Sequence, residues 1–367
     1  MEFKNYLTEH AQKHPSCEPR DVVKLCYQAA RGAEHMFANL EDLDAAAAYF
    51  FREFDGVEPR DGELFERISD KYCRVDLGAW KKTGMPREWL LTMFTLSGYR
   101  EEDGEKTLER YLADARACVC DGRFAFPVEQ WDKYLEFYRI LGMPSVHHSE
   151  AYRTQEKPAY RLVRSSYCAL LPLLQKIHAV REEKVGHGRP MVIAIDGRAG
   201  SGKTTLSRNL RRIIGEFRGG VQMDDFFLPA DLRTESRLAE AGGNVHYERF
   251  AEEVVPYISG KESFSYRYFD CMTMDYEGSQ QVVSEKWRVV EGSYSHHPYF
   301  GDYADLKVFV DVDPELQMER IKDRDGSMMA ERFRTQWIPM EERYFDAFHI
   351  RERADVVMEY RIFELDE

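Results

Sequence analysis

Apolar residues recur three or four positions apart through the first half of the chain, which is the spacing of one face of an α-helix. The pattern is clearest over residues 21–37. It predicts further helices at 44–54, 89–96, 107–119, 128–141 and 161–180, the last one broken or kinked at Pro172. The period-two alternation of half-buried strands does not stand out here. We therefore expect residues 1–183 to form a mostly α-helical domain.

The pattern changes in a polar stretch at 181–190, which carries two glycines and ends in Pro190. We place an interdomain linker at 184–190. Beyond it, short apolar runs alternate with helical patterns. The strands are expected at 191–195, 221–223, 287–290, 306–312 and 354–358, and the helices at 206–217, 314–324 and 340–350. This alternation predicts an α/β domain over residues 191–367, with a parallel sheet covered by helices.

Composition restricts the partners of the protein. The formal net charge of −14 over 367 residues disfavours a broad surface for nucleic acid or anionic membrane, because a negative field repels phosphate. No apolar run approaches the ~20 residues that span a bilayer, and none follows the first residues as in a secretory signal. The seven scattered cysteines fit a reducing cytoplasm. We expect a cytoplasmic protein without a nucleic-acid or membrane partner, and leave open whether it is a homo-oligomer.

A phosphate-binding loop is predicted at Gly197–Thr204, which fits the pattern G-x-x-x-x-G-K-[ST] between a strand and a helix. Glycines let backbone N–H groups converge on phosphates, and the helix N-terminus adds a favourable dipole. We expect Lys203 to reach the β- and γ-phosphates and the Thr204 hydroxyl to ligate Mg²⁺. The expected nucleotide contacts are Gly197, Arg198, Ala199, Gly200, Ser201, Gly202, Lys203, Thr204 and Thr205.

Acidic residues follow two further strands. Asp224 and Asp225 come about twenty residues after the loop, and Glu291 ends the run 287–290. Because parallel strands end at one edge of a sheet, we expect these acids near the phosphate loop. Asp224 could accept the proton of an attacking hydroxyl or hold Mg²⁺ through water. Glu291 is a candidate for Mg²⁺.

Arginines follow the last core strands. Arg320 and Arg324 lie four residues apart on one predicted helix face, before a break at Asp325–Gly326, and Arg332 and Arg334 follow. Guanidinium groups suit a lid that closes over phosphates. A solvated helix face explains any one of them equally well.

Four segments together resemble the uridine kinase family of P-loop small-molecule kinases, whose relatives include pantothenate, nicotinamide riboside and phosphoribulose kinases. The segments are I-A-I-D-G-R-A-G-S-G-K-T-T-L (193–206), Q-M-D-D-F-F (222–227), V-V-E-G-S-Y (289–294) and the run from V-F-V-D-V-D-P-E to R-I-K-D-R (308–324). They span nearly all of 190–367.

The resemblance implies an ATP-dependent kinase that moves the γ-phosphoryl group to a hydroxyl of a nucleoside or a related small metabolite. It implies that Asp224 is the general base, that Glu291 assists Mg²⁺, and that Arg320 and Arg324 belong to the lid. Whether ATP or GTP is preferred stays open.

The acceptor side departs from the family pattern. Tyr268 and Asp270 are the nearest match to the family's nucleobase and ribose segment, but the His and Arg that should follow are absent at that spacing. The stretch 242–250 lies where the family brings in acceptor contacts. The expected acceptor contacts are Asp225, His246, Tyr247, Arg249, Tyr268, Asp270 and Tyr294. The stretch 242–250 also fits a loop that opens a surface helix, and His296 and His297 fit polar loop residues better than metal ligands.

The helical half carries three clusters that mix charged, imidazole and aromatic groups, at 32–36, 72–81 and 146–153. Each fits a binding pocket or a buried polar network, and the spacing demands no metal site. Two alternatives to a kinase therefore stay open. One is a nucleotide-gated regulatory or binding protein whose helical domain engages a macromolecular partner. The other is a bifunctional protein whose helical domain has its own activity.

Overall fold

A computed structural model of the chain describes residues 3–37, 42–99, 102–215, 220–270, 272–283 and 286–359. It divides into two compact units, Met1–Leu171 and Pro172–Glu367. Residues 184–190, predicted as a linker, lie in the second unit. Cys271 and the end of the helix predicted at 206–217 lie outside the described residues. In the described ranges, no helix is both long and apolar enough to cross a membrane.

The first unit is mostly helical, as predicted. Its helices are α1 (Phe3–Lys13), α2 (Pro19–Arg31), α3 (Asp42–Gly56), α4 (Leu77–Thr83), α5 (Arg87–Leu96), α6 (Gly104–Cys120), α7 (Val128–Ile140), α8 (Glu150–Glu156) and α9 (Ser165–Cys168). Its strands are β1 (Phe65–Arg67), β2 (Tyr72–Asp76) and β3 (Tyr160–Arg164). The strands form an antiparallel sheet in the order β1-β2-β3.

Local sequence explains the bounds of α2. Pro19 occupies the first turn, where its missing N–H costs no helical hydrogen bond. The Glu18 side chain and Asp21 form a reciprocal capping box. The helix stops at Arg31 instead of running to residue 37, because Gly32 has a φ of +56°, which is not helical. A Cβ at this position would lie 2.4 Å from the Tyr72 ring, so a side chain does not fit.

The helix predicted over 161–180 is wrong at its start, because residues 160–164 form β3. This strand pairs with β2, and two of its buried positions are arginines, Arg161 and Arg164. Their guanidinium groups stack on aromatic rings, Arg161 on Phe50 and Arg164 on Tyr99. The strand was not predicted because arginines, which are polar in the sequence, occupy two of its buried positions. Of the two alternatives at Pro172, the structure has the break and not the kink, because one helix ends at Cys168 and Pro172 lies in the first turn of the next.

The second unit is an α/β domain, as predicted. Its helices are α10 (Leu171–Val180, all but the first residue), α11 (Lys203–Ile214), α12 (Glu235–Ala239), α13 (Tyr247–Glu253), α14 (Val255–Ile258), α15 (Pro314–Arg332) and α16 (Ile338–Phe348). Its strands are β4 (Met191–Gly197), β5 (Val221–Gln222), β6 (Phe264–Asp270), β7 (Asp275–Val282), β8 (Trp287–Glu291), β9 (Leu306–Asp311) and β10 (Val356–Glu359).

Five of these strands form one sheet in the order β10-β9-β4-β8-β5, and every neighbouring pair is parallel. β4 lies at the centre and is buried along its whole length. Ile195 near the end of β4 pairs with Glu291 at the end of β8, and Glu291 also pairs with Gln222 at the end of β5. Three strands therefore deliver their following residues to one edge, as the sequence predicts.

The antiparallel hairpin β6–β7 does not follow from the sequence pattern. β7 is exposed along most of its length, so it lacks the apolar alternation that identifies a half-buried strand. Tyr266 and Phe269 of β6 are buried and join the core of the second unit on one side.

The turn from β4 into the loop that follows depends on Gly197. Its φ is +141°, and a Cβ built there would lie 2.1 Å from the backbone oxygen of Val310 on the neighbouring strand. A side chain would have to displace β9 and adopt a strained backbone conformation.

We expect Gly197→Ala to destabilise the second unit by more than about 2 kcal/mol, because backbone strain and a backbone clash combine. Gly188→Ala is the matched control, since Gly188 has open space around its Cα. Urea unfolding of both variants measures the difference. Equal stabilities would mean that β9 yields freely at this point.

Candidate functional site

The loop between β4 and α11 has the conformation that a glycine-rich phosphate loop requires. Gly200 and Gly202 have φ values of +69° and +92°, in the region that favours glycine. α11 begins directly after the loop at Lys203, so its N-terminal N–H groups face the loop's interior.

The Lys203 ammonium is buried and folded back onto its own loop. Its Nζ donates to the backbone oxygens of Gly197 and Arg198 at 2.9 and 2.8 Å. The hydroxyl of Ser201 is fully buried and has no hydrogen-bond partner among the described residues. A buried hydroxyl without a partner is costly, and at this place it suits an oxygen-rich ligand.

Thr204 and Glu291 come together at the sheet edge. The Thr204 hydroxyl donates to Oε1 of Glu291 at 3.1 Å. Glu291 is 4% exposed. Burial raises the pKa of its carboxyl, with a smaller contribution from the neighbouring Asp224 charge, while Lys203 and Thr204 oppose the rise. A hydroxyl next to a buried carboxylate is a hard oxygen pair of the kind that Mg²⁺ takes.

Asp224 and Asp225 lie in a single turn of 3₁₀ helix, Met223–Phe226, directly after β5. The Asp224 side chain reaches solvent, yet the protein around it displaces enough water to raise its pKa, against the charges of Lys203 and Arg324. Asp225 differs, because its Oδ2 accepts a 2.7 Å hydrogen bond from the Tyr266 hydroxyl. Of these two acids, Asp224 is the one whose pKa the charges of Lys203 and Arg324 lower.

Asp196, which the sequence analysis does not single out, holds the site together. It is completely buried. Its two oxygens accept from the backbone N–H groups of Gly197, Tyr294 and His296 at 2.7, 3.1 and 2.9 Å and from the Tyr344 hydroxyl at 2.8 Å. The acid between the strand and the first loop glycine is the sequence signal that could have identified it.

Glu341 of α16 is a second carboxylate that sequence reasoning missed. Its Oε2 accepts from the Ala199 N–H at 3.0 Å, and its Oε1 lies 2.8 Å from the Ser293 hydroxyl. Burial raises the pKa of its carboxyl. Ser293 also lies 3.0 Å from the backbone oxygen of Gly197, so α16 and the segment after β8 both brace the loop.

The Arg198 side chain is used within the protein. Its Nε donates to Asp311 at the end of β9 at 2.8 Å, and it also pairs with Glu342 of α16. This predicted nucleotide contact therefore presents its backbone, and not its guanidinium, to the loop's interior.

The predicted helix break among the candidate lid residues is confirmed, because Gly326 has a non-helical φ of 81° inside α15. Before the break, Arg320 lies 3.5 Å from the Gly200 oxygen, and Arg324 is near enough to Asp224 to lower its pKa. After the break, Arg334 pairs with Glu331, and Arg332 lies over the Trp337 ring. The structure thus brings Arg320 to the loop. Arg324 acts on Asp224 through its charge but pairs with its neighbour Asp325 at 2.7 Å, and the last two arginines are also in local contacts.

Among the predicted acceptor residues, Arg249 supports Asp225. It is 2% exposed, lies 4.1 Å from the Phe226 ring centroid, and donates to the backbone oxygens of Asp225 and Arg267. His246 Nδ1 is hydrogen-bonded to the Tyr276 hydroxyl.

Tyr247 packs between the Arg237 guanidinium and the His297 ring. Tyr294 is buried against Tyr344, with an unusual positive φ of 77°. A strained tyrosine directly after the Gly292–Ser293 turn marks this segment as one held by its surroundings.

The remaining predicted acceptor residues belong to the hairpin. Asp270 accepts from the backbone N–H groups of Met272 and Thr273 and so closes the β6–β7 turn. Tyr268 packs over Gly278. These contacts are internal to the hairpin.

The two histidines after β8 are buried and contact other parts of the second unit. The Nε2–H of His296 donates to the Ala194 oxygen at 3.1 Å, and His297 stacks on Tyr344. Burial lowers the pKa of both, that of His297 to about 4. Across the part of the chain that the structure describes, no three His, Cys, Asp or Glu side chains form a metal cluster.

Comparison with known proteins gives no match to a family model. The chain is 26% identical over 160 residues to a pantothenate kinase of Enterococcus faecalis, a match that covers 39% of this chain and 52% of the relative. It is 29% identical over 158 residues to a uridine kinase of Lactiplantibacillus plantarum, covering 41% of this chain and 73% of the relative. The chain thus spans about half the length of that pantothenate kinase.

Among solved structures, a possible uridine kinase from Bacillus stearothermophilus aligns with 17% identity and a TM-score of 0.41, over 52% of this chain and 98% of its own. The strand order above, and not this superposition, defines the fold. The matches leave the N-terminal unit unassigned. Over about half of its length, the chain is therefore similar to the uridine kinase- and pantothenate kinase-like P-loop kinases.

Proposed function

We propose that the second unit is an ATP-dependent kinase that transfers the γ-phosphoryl group to a hydroxyl of a small metabolite, a nucleoside or a related compound. The observation that carries this proposal is Asp224, a solvent-accessible carboxylate with a raised pKa beside Lys203 and Glu291. A nucleotide-gated switch would need no such base at the loop. The similarity to a uridine kinase and a pantothenate kinase supports the same activity.

The residues of the loop fit the phosphates of a nucleotide. The partnerless Ser201 hydroxyl and the N–H groups at the start of α11 offer donors that the protein itself leaves unused. In this proposal Lys203 exchanges its two carbonyl contacts for phosphate oxygens. Its charge then offsets that of the β- and γ-phosphates.

The Thr204 hydroxyl and Glu291 would hold Mg²⁺, with Asp224 in reach through water. Bound there, Mg²⁺ neutralises charge on the transferring phosphates. The raised pKa of Glu291 reflects a buried carboxyl without enough positive charge around it, which a cation would supply.

Asp224 would take the proton of the acceptor hydroxyl. A raised pKa makes a carboxylate a stronger base. Arg320 and Arg324 would close from α15 onto the charge that develops during transfer. Closure would exclude water and limit hydrolysis of the nucleotide.

The acceptor would lie beside Asp224, between the 3₁₀ turn and the segments that follow it. Asp225 and Arg249 belong to this turn and its packing, and Tyr294 donates its N–H to Asp196 directly before the loop. His246, Tyr247, Tyr268 and Asp270 would complete the surroundings if the hairpin moves towards the acceptor.

We expect Asp224→Asn to lower kcat by roughly 10²–10⁴-fold, because the amide cannot accept the proton. The affinity for ATP should change little, since the loop contacts remain. The measurement is ATP consumption against a panel of nucleosides, vitamins and sugars, with ATP affinity from calorimetry. The exposed Asp231, changed to Asn, is the matched control. Near-normal turnover of the true acceptor by Asp224→Asn would refute the base assignment.

The pH dependence of kcat/KM should also show whether Asp224 is the base. Since the pKa of Asp224 is raised above its ordinary value of 3.8, kcat/KM should fall as the pH drops through a midpoint above 3.8, where the base becomes protonated. The residual activity of Asp224→Asn should lack this acid limb. An unchanged limb in the variant would assign it to another group.

We expect Glu341→Gln to raise the KM for ATP about tenfold, because a hydrogen bond to a charged acceptor that braces the loop is weakened. A positioning role predicts that the acid limb of the pH profile stays in place. Glu319→Gln on the exposed face of α15 is the control. A fall in kcat with an unchanged KM would contradict the bracing role.

A further inference from the structure

The first unit contains a pocket of about 180 Å³ between α2, α3, α5 and β3. Cationic groups of Lys24 and Arg161 line it, together with the rings of Phe94 and Tyr160, and Tyr49 stands exposed at its rim. At ~30 Å³ per water, the volume holds about six waters or one small metabolite. Every lining residue belongs to this unit.

Arg161 is buried to 5% exposure. Its guanidinium stacks on Phe50 and Phe94 and lies 2.8 Å from Glu53, but its Nε has no hydrogen-bond partner among the described residues. An unfilled donor on a buried guanidinium is costly without a ligand.

Lys24 is the second cation of the pocket. Its Nζ donates to the Val146 oxygen at 2.8 Å, and two of its protons stay available. Burial, with a smaller effect of the Arg74 charge, lowers the pKa of this amine to about 8.

A chain of hydrogen bonds fixes the polar wall of the pocket. Nδ1–H of His148 donates to buried Asp21 at 3.0 Å, and Nε2 accepts from the Tyr160 hydroxyl at 2.8 Å. This tautomer follows from the two partners. Gln28 bonds the same hydroxyl through Nε2 at 3.0 Å and accepts from Arg74, 5% exposed, at 2.7 Å. Such a wall is preorganised and needs no rearrangement to receive a ligand.

The balance of charge favours an anion. Burial lowers the pKa of His35 and of His148 to about 4 each, so both imidazoles are neutral at physiological pH. The ionised lining groups are then Lys24, Arg161 and Glu53, with a net charge of +1. The rest of the lining is uncharged and consists of Gln28, the two imidazoles, and aromatic or apolar residues.

We propose that this pocket binds a small organic anion whose acidic group meets Lys24 and Arg161 and whose flat apolar part lies against the aromatic rings. The ligand site is separate from the kinase chemistry and gives the N-terminal unit a function of its own. The acidic group is a carboxylate or a phosphate ester, since both match a guanidinium and an ammonium.

Calorimetry on the full chain tests the proposal with benzoate and phenyl phosphate, and with benzamide as a neutral analogue. One or both anions should bind saturably below about 10 mM, and benzamide at least tenfold more weakly. Lys24→Met should lower the affinity for the anion at least tenfold. Lys106→Met on the exposed face of α6 should leave that affinity unchanged. If only benzoate binds, the ligand's acidic group is a carboxylate, and if only phenyl phosphate binds, it is a phosphate ester. Failure of both anions, or binding that Lys24→Met leaves unchanged, overturns the proposal.

A labelling experiment on the unaltered chain tests the same site if the Lys24 variant fails to fold. An amine of pKa about 8 is acylated by acetic anhydride at pH 8 ahead of ordinary lysines, because the neutral form reacts. The bound anion should slow acylation of Lys24 and leave that of Lys106 unchanged, as read by mass spectrometry. Equal acylation of Lys24 with and without a saturating anion contradicts the site.

Discussion

The buried carboxylate of Asp196 is the contact on which the second unit depends. It receives three backbone N–H groups and the Tyr344 hydroxyl, with almost no solvent in reach. A buried ion is tolerated only where its lone pairs are filled in this way. Through it, the end of β4, the segment after β8 and α16 hold a common position. The phosphate loop inherits its shape from that arrangement.

The sequence predicts those parts of the site that are set by neighbours along the chain. The strand, loop and helix around Gly197–Thr204 and the acids at the ends of β5 and β8 follow from periodicity and from the rule that parallel strands end together. Asp196 and Glu341 escape that logic, because their partners other than the adjacent Gly197 lie between 48 and 148 residues away. The place of Asp196 directly before the first loop glycine is its one local signal, and no local pattern distinguishes Glu341 from a capping or solvated acid.

The same limit explains the first unit. Its helices follow from their apolar spacing, but the sheet depends on Arg161 and Arg164, which are polar in the sequence and buried in the fold. From the sequence alone, the cluster at 146–153 fits either a binding pocket or a buried polar network. In three dimensions His148 is both, since it belongs to a buried chain of hydrogen bonds and lines an open volume.

The two carbonyl contacts of Lys203 help to fix the shape of the loop. A cation packed against the backbone oxygens of Gly197 and Arg198 is already solvated by its own loop. These contacts tie the first two residues of the loop to the start of α11. In the proposed kinase, phosphate oxygens would replace these carbonyl oxygens around the ammonium, so that binding would need little rebuilding of the backbone.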